Sequence, residues 1–121
     1  MAPPKAFDFT GEVAIVSGAG SRMKGEALRD RMHSVFGEAN NVGEIGNGRA
    51  TSILLARQGA KVALIDHNME WAKDTKQMID AEGGISEVIE ADVTSEESCK
   101  NAVARTIELF GTVHILVNVG M

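Results

Sequence analysis

The sequence predicts an α/β fold, a doubly wound parallel sheet with helices on both faces and strand order 3-2-1-4. Three observations predict it. Short apolar runs alternate with longer amphipathic stretches from Val13 to Asn118. The first run, Val13-Ala14-Ile15-Val16-Ser17, is apolar almost throughout, as a strand covered on both faces must be. Glycines at Gly59, Gly83-Gly84 and Gly111 stand where the helical stretches should stop. Right-handed crossovers then put the first strand between the second and the fourth.

Taken in order, Met1 to Gly11 is a short lead, and Glu12 to Ser17 is the first strand. Gly18 to Gly25 is loop. Ala27 to Phe36 carries Leu28, Met32, Val35 and Phe36 at helical spacing, and Gly37 to Gly48 is loop again. Gly48 to Gln58 reads as a helix with Ile53 and Leu54 inward. Lys61 to Asp66 is the second strand. Asn68 can cap a helix over Met69 to Ala81 that turns Trp71, Thr75, Met78 and Ile79 to one face. Ile85 to Glu90 is the third strand. Thr94 and Glu97 have the spacing of a capping box, opening a helix to Phe110 with Cys99, Val103, Thr106, Ile107 and Phe110 as its core stripe. Val113 to Asn118 is the fourth strand, which leaves an exposed apolar edge prone to self-association.

The whole chain, 1–121, reads as one incomplete domain. A net charge of -5 without a basic block argues against a nucleic-acid partner. No apolar run is long enough for a membrane span, and the opening residues do not form a signal peptide. The single Cys99 fits a reducing, cytoplasmic compartment. His33, His67 and His114 are scattered and make no metal-ligand set. Cys99 and His114 have nothing to orient them as nucleophile and base, and Trp71 reads as core rather than as a stacking platform.

The chemistry gathers around the turn after the first strand. A strand, a glycine-rich turn and a helix N-terminus form a Rossmann-type cradle for a dinucleotide pyrophosphate. Here the cradle is interrupted. Gly18-Ala19-Gly20-Ser21 opens it, and Ile45-Gly46-Asn47-Gly48-Arg49-Ala50 closes it, with an inserted segment at about 26–43 between. Adding such a loop costs only roughly 1 kcal/mol in closure entropy, so the sheet tolerates it more readily than a tight phosphate turn does. Gly25-Glu26 and Gly43-Glu44 share one dipeptide. Their codons, with those of Ala39-Asn40, permit a splice donor, branch site and acceptor, which suggests a retained in-frame intron in a truncated gene model. The rival is a genuine insertion whose Leu28, Met32 and Phe36 face docks on a partner.

With these motifs in place, the chain resembles the N-terminal half of a short-chain dehydrogenase/reductase. The interrupted turn resembles that family's TGxxxGxG motif, Asp92-Val93 its adenine-contacting pair, and Ile115-Leu116-Val117-Asn118 the strand into its Asn-Asn-Ala-Gly motif. The resemblance implies NAD as cofactor, held by Gly18, Ser21, Ile45, Gly46, Asp66, Asp92, Val93 and Asn118, with Gly48 packing helix on strand. Asp66, ending the second strand, would accept from the adenosine ribose hydroxyls and repel a 2′-phosphate, which makes NADP the lesser choice. Arg22 and Lys24 can instead attract a 2′-phosphate. Asp66 and Asn118 can also be plain strand-end residues, and Asp92 can simply begin a turn.

The family's reaction is hydride transfer between a nicotinamide and a small-molecule alcohol or ketone, using a Ser/Tyr/Lys triad in its second half. The chain contains no tyrosine. No catalytic residue is therefore assigned, and the fragment is expected to be inactive alone. The other readings are a non-catalytic nucleotide-binding or interaction module, or a non-functional product.

Overall fold

The computed structural model describes residues 8–20 and 46–119. The described elements are β1 (Val13–Ser17), α1 (Asn47–Arg57), β2 (Lys61–Asp66), α2 (Met69–Ala81), β3 (Ile85–Glu90), α3 (Glu96–Phe110) and β4 (Ile115–Asn118). The strands form one sheet in the order β3-β2-β1-β4, with every pairing parallel. This is the predicted order. Ser17 lies opposite both Ile65 and Asn118, and Asp66 lies opposite Glu90. The carboxyl ends of all four strands therefore share one edge of the sheet.

Side-chain alternation sorts the core into two layers. Val16, Val62 and Leu64 pack with Ala19, Ala60, Ile53 of α1 and Ile79 of α2. Ile15, Ala63 and Ile65 face the other way, with Ile89, Ala91 and Ala102 of α3. Every residue of β1 is buried, which explains its unbroken apolar run. Arg57 on α1 grips Glu82 after α2 through two nitrogens at 2.8 and 2.6 Å, tying the far ends of the two helices.

Several boundaries differ from the sequence reading, each for a local reason. The strand predicted from Val113 begins at Ile115. Ahead of it, His114 N donates to Val13 O at 2.9 Å while its Nδ1 accepts from Val13 N at 3.0 Å. The imidazole thus occupies the first ladder position. The α3 cap is Ser95, which accepts from Ser98 N at 3.2 Å, not Thr94. Thr94 instead donates to Asp92 Oδ1 from its hydroxyl at 2.6 Å and from its amide at 2.9 Å. Gly111 ends α3 in the left-handed region at φ 87°, its N–H donating to Ile107 O. That conformation is nearly closed to other residues.

Two predicted inward faces are only partly inward. Leu54 is 41% exposed beside the buried Ile53. On α3, Thr106 is buried, but Val103 is exposed and Ile107 is 48% exposed. The α3 side chain buried in the sheet layer is Ala102, with Leu109 and Phe110 partly buried against it.

Candidate functional site

The candidate site is the edge formed by the carboxyl ends of the strands. The sheet order reverses there between β1 and β4, which is the switch point where open parallel sheets leave a crevice for ligands. At that point Ser17 Oγ donates to Asn118 Oδ1 at 3.0 Å, and Val119 N donates to Ser17 Oγ at 3.2 Å. The two strand tips are joined by side chains as well as by the ladder.

Gly18 turns the chain out of β1 at φ 67°. Ala19 N then donates to Ile65 O at 3.2 Å, which carries the turn across the tip of β2. Gly20 N donates to Asp66 Oδ2 at 2.9 Å. Gly20 also has no room for a side chain. A Cβ there would lie 2.6 Å from Ala72 N, the Trp71 carbonyl carbon and Trp71 Cβ. This glycine is required by close packing on the start of α2. Its identity in the sequence was the one available signal for that contact.

Asp66 is only 5% exposed. Its second oxygen, Oδ1, accepts from Asn68 N at 3.0 Å and lies 3.4 Å from His67 Nδ1. The strand-end carboxylate therefore organises backbone on both sides of it, a role the sequence did not disclose. Asn68 caps α2 by accepting from Trp71 N at 3.1 Å, as predicted.

Gly46 caps α1 with an extended backbone and no side chain over the helix end. Gly48, two residues on in the first turn, is buried. Arg49 follows and is 1% exposed. Its Nε donates to Thr75 Oγ1 at 2.9 Å, and one terminal nitrogen donates to Trp71 O at 2.9 Å. Sequence reasoning missed Arg49, because an arginine near a helix start gives no sign of burial.

Asp92 and Val93 follow β3 on an exposed corner. The Asp92 carboxyl is held below its ordinary range, chiefly by the Thr94 hydroxyl and then by the Thr94 amide. Val93, Ser17 and Asn118 also line an apolar cavity of about 230 Å³ beside α3, with Cys99, Val103 and Leu116. Cys99 Sγ lies 3.6 Å from Val93 O, and His114 is occupied by β1.

The structure thus brings Gly18, Asp66, Asp92, Val93 and Asn118 to one sheet edge. It joins the start of α1 to the turn through Arg49, Thr75 and Ala19. Ser21 and Ile45 lie outside the described residues, as do Arg22, Lys24 and the segment at about 26–43 with its Leu28/Met32/Phe36 face. Among the described residues no group of three His, Cys, Asp or Glu could hold a metal ion. No helix among them is long and apolar enough to cross a membrane.

A family model described as enoyl-(acyl carrier protein) reductase matches residues 42–120. A short-chain dehydrogenase/reductase from Aspergillus oryzae is 34% identical over 113 residues, covering 93% of this chain and 34% of the relative. A cyclohexanol dehydrogenase from an Acinetobacter species is 30% identical over 110 residues, covering 91% of this chain and 34% of the relative. The chain thus spans about a third of the length of these relatives. The crystal structure of a hydroxysteroid dehydrogenase from Escherichia coli superposes with a TM-score of 0.70 at 26% identity, over 92% of this chain and 37% of that one. Since the match from 42 to 120 runs through α1, the three following strands and both helices between them, the chain belongs to the short-chain dehydrogenase/reductase family.

Proposed function

We propose that the chain is the dinucleotide-binding portion of an NAD(H)-dependent oxidoreductase that interconverts an alcohol and a ketone. The observation that carries this reading is the gathering of Gly18, Asp66, Asp92, Val93 and Asn118 at the switch-point edge. In this reading Gly18, Ser21, Ile45 and Gly46 take the pyrophosphate, and Gly46 brings no side-chain cap to the start of α1. Asp66 takes the adenosine ribose, and Asp92 and Val93 take the adenine. Asn118 stands at the crevice between β1 and β4.

The residues present fit such a group. Each Asp66 oxygen accepts one backbone N–H, and a carboxylate has roughly four lone-pair sites in all. In this reading the remaining lone pairs are those the ribose hydroxyls take, and the negative charge disfavours a 2′-phosphate, hence NAD over NADP. The nicotinamide, when bound, supplies the hydride chemistry. The chain supplies binding and orientation. These 121 residues contain no tyrosine, so no proton-exchanging phenol is assigned among them and the reading for them is cofactor binding.

We read residues 1–121 as one domain interrupted at about 26–43, working in the cytoplasm on a small-molecule partner. Leu116, 62% exposed on the edge strand β4, favours a second role in self-association through that edge. Isothermal titration of the full chain with NAD and NADP tests the main reading. Binding of NAD in preference to NADP, weakened in Asp66→Asn, is expected. Absence of binding to either, with the fold intact by circular dichroism, would leave the interaction module or a non-functional product.

A further inference from the structure

The peptide group between Ala19 and Gly20 is held at both ends. Its N–H donates to Asp66 Oδ2 at 2.9 Å. Its carbonyl accepts from Thr75 Oγ1 at 3.0 Å. A threonine hydroxyl has one proton to give, and Thr75 has a competing acceptor in its own helix, Trp71 O at 3.3 Å. Helical threonines commonly bond back to that position. Arg49 bears on the choice from two sides. Its Nε donates to Thr75 Oγ1, so the hydroxyl oxygen is already an acceptor, and its terminal nitrogen donates to Trp71 O, so the competing carbonyl already serves a charged donor. Ala19 O is the better acceptor that remains.

Two features of the placement of Arg49 oppose a cation. It is the third residue of α1, where the helix dipole opposes a cation, and it is buried, where a charge is costly. The bonds to Thr75 and Trp71 reach α2 rather than its own helix.

We propose that Arg49 and Thr75 are positioning residues for the dinucleotide site, setting the plane of the Ala19–Gly20 peptide and so the path of the turn out of β1. The proposal rests on the cofactor reading for its function, but its geometry can be tested without cofactor. In the full chain, hydrogen exchange at the Gly20 amide is measured by NMR. In Thr75→Val it is expected to rise about tenfold or more, as loss of one pinning bond frees the peptide locally, while the amides of β1 and β2 keep their protection. Thr75→Ser restores the hydroxyl and should exchange like the parent. Arg49→Lys keeps the charge but cannot reach both acceptors with one planar fork, and it should also raise Gly20 exchange.

Should Thr75→Val unfold, Arg49→Lys carries the test. Unchanged Gly20 exchange in the folded variants, or a loss in Thr75→Ser equal to that in Thr75→Val, overturns the proposal. NAD titration of the same proteins should show affinity falling about tenfold in Thr75→Val and Arg49→Lys and recovering in Thr75→Ser. If the parent binds no NAD while Gly20 responds as described, the cofactor reading falls and the peptide clamp stands. If NAD binds and Gly20 does not respond, the clamp falls and the cofactor reading stands.

Discussion

The two faces of the sheet are finished to different degrees. On one face α1 and α2 seal Val16, Val62 and Leu64 under Ile53 and Ile79, and the polar groups there, Arg49, Thr75 and Asp66, are buried and bonded. On the other face α3 reaches the sheet through Ala102, with Leu109 and Phe110 partly buried beside it, leaving Val93, Val103 and Leu116 exposed around an apolar cavity and Ile107 exposed on the helix. The sheet edges differ in the same sense. β3 carries Glu87 and Glu90, charges that discourage edge pairing, whereas β4 reads Ile-Leu-Val-Asn with none. The difference locates stability on the α1/α2 face and unsatisfied apolar surface on the α3/β4 face.

The largest expected effect tests that division directly. Ile79→Ala removes a side chain that is 1% exposed and should destabilise the fold by about 3–4 kcal/mol. Ile107→Ala, on the half-open face, should cost less than about 1 kcal/mol. Urea denaturation of the two variants compares them, and equal costs would break the contrast. Next comes Gly20→Ala, whose new Cβ meets backbone rather than a movable side-chain tip. It is expected to cost about 1–3 kcal/mol in the same assay, and a neutral result would mean that the turn does not sit tightly on α2. Leu116→Lys should change stability by no more than about 0.5 kcal/mol while reducing self-association in sedimentation velocity. A parent that does not associate, or association undiminished in the variant, would overturn the proposed role of that edge.

The same division marks what was legible in the sequence. Strand order followed from alternation taken with the right-handed crossovers of a doubly wound sheet, which leave few topologies. The helix stops at Gly59, Gly83 and Gly111 were legible because each glycine takes a positive φ. The α3 stripe misled because helical spacing reports which residues share a face, not whether anything covers it. Val103 and Ile107 share the face and remain exposed. Arg49 misled in the opposite direction, since its burial depends on acceptors in α2 that lie 22 and 26 residues away along the chain. Asp66 was legible as a strand-end carboxylate, but its two backbone donors, Gly20 and Asn68, were not. Long-range polar contacts leave little trace in local pattern, and the turn after β1 is built mostly from them.

The smallest effects concern the corner where β3 passes into α3 on the open face. Ser95→Ala removes the observed cap and should cost about 1 kcal/mol. Thr94→Ala leaves that cap intact and instead withdraws the hydroxyl donor from Asp92. That donor is the first cause of the lowered Asp92 pKa, with the Thr94 amide second. Because the folded pKa lies below the unfolded one, the folded state holds fewer protons between the two values. The contribution is therefore present above the unfolded carboxylate pKa and is lost as pH falls through the folded one. The parent should be more stable than Thr94→Ala at neutral pH, and the gap should narrow toward about pH 3, where aspartates protonate. Urea midpoints of the two proteins at both pH values measure it. A gap that stays constant or widens in acid would show that Thr94 acts on the corner through packing, and that the exposed carboxylate contributes nothing to holding it.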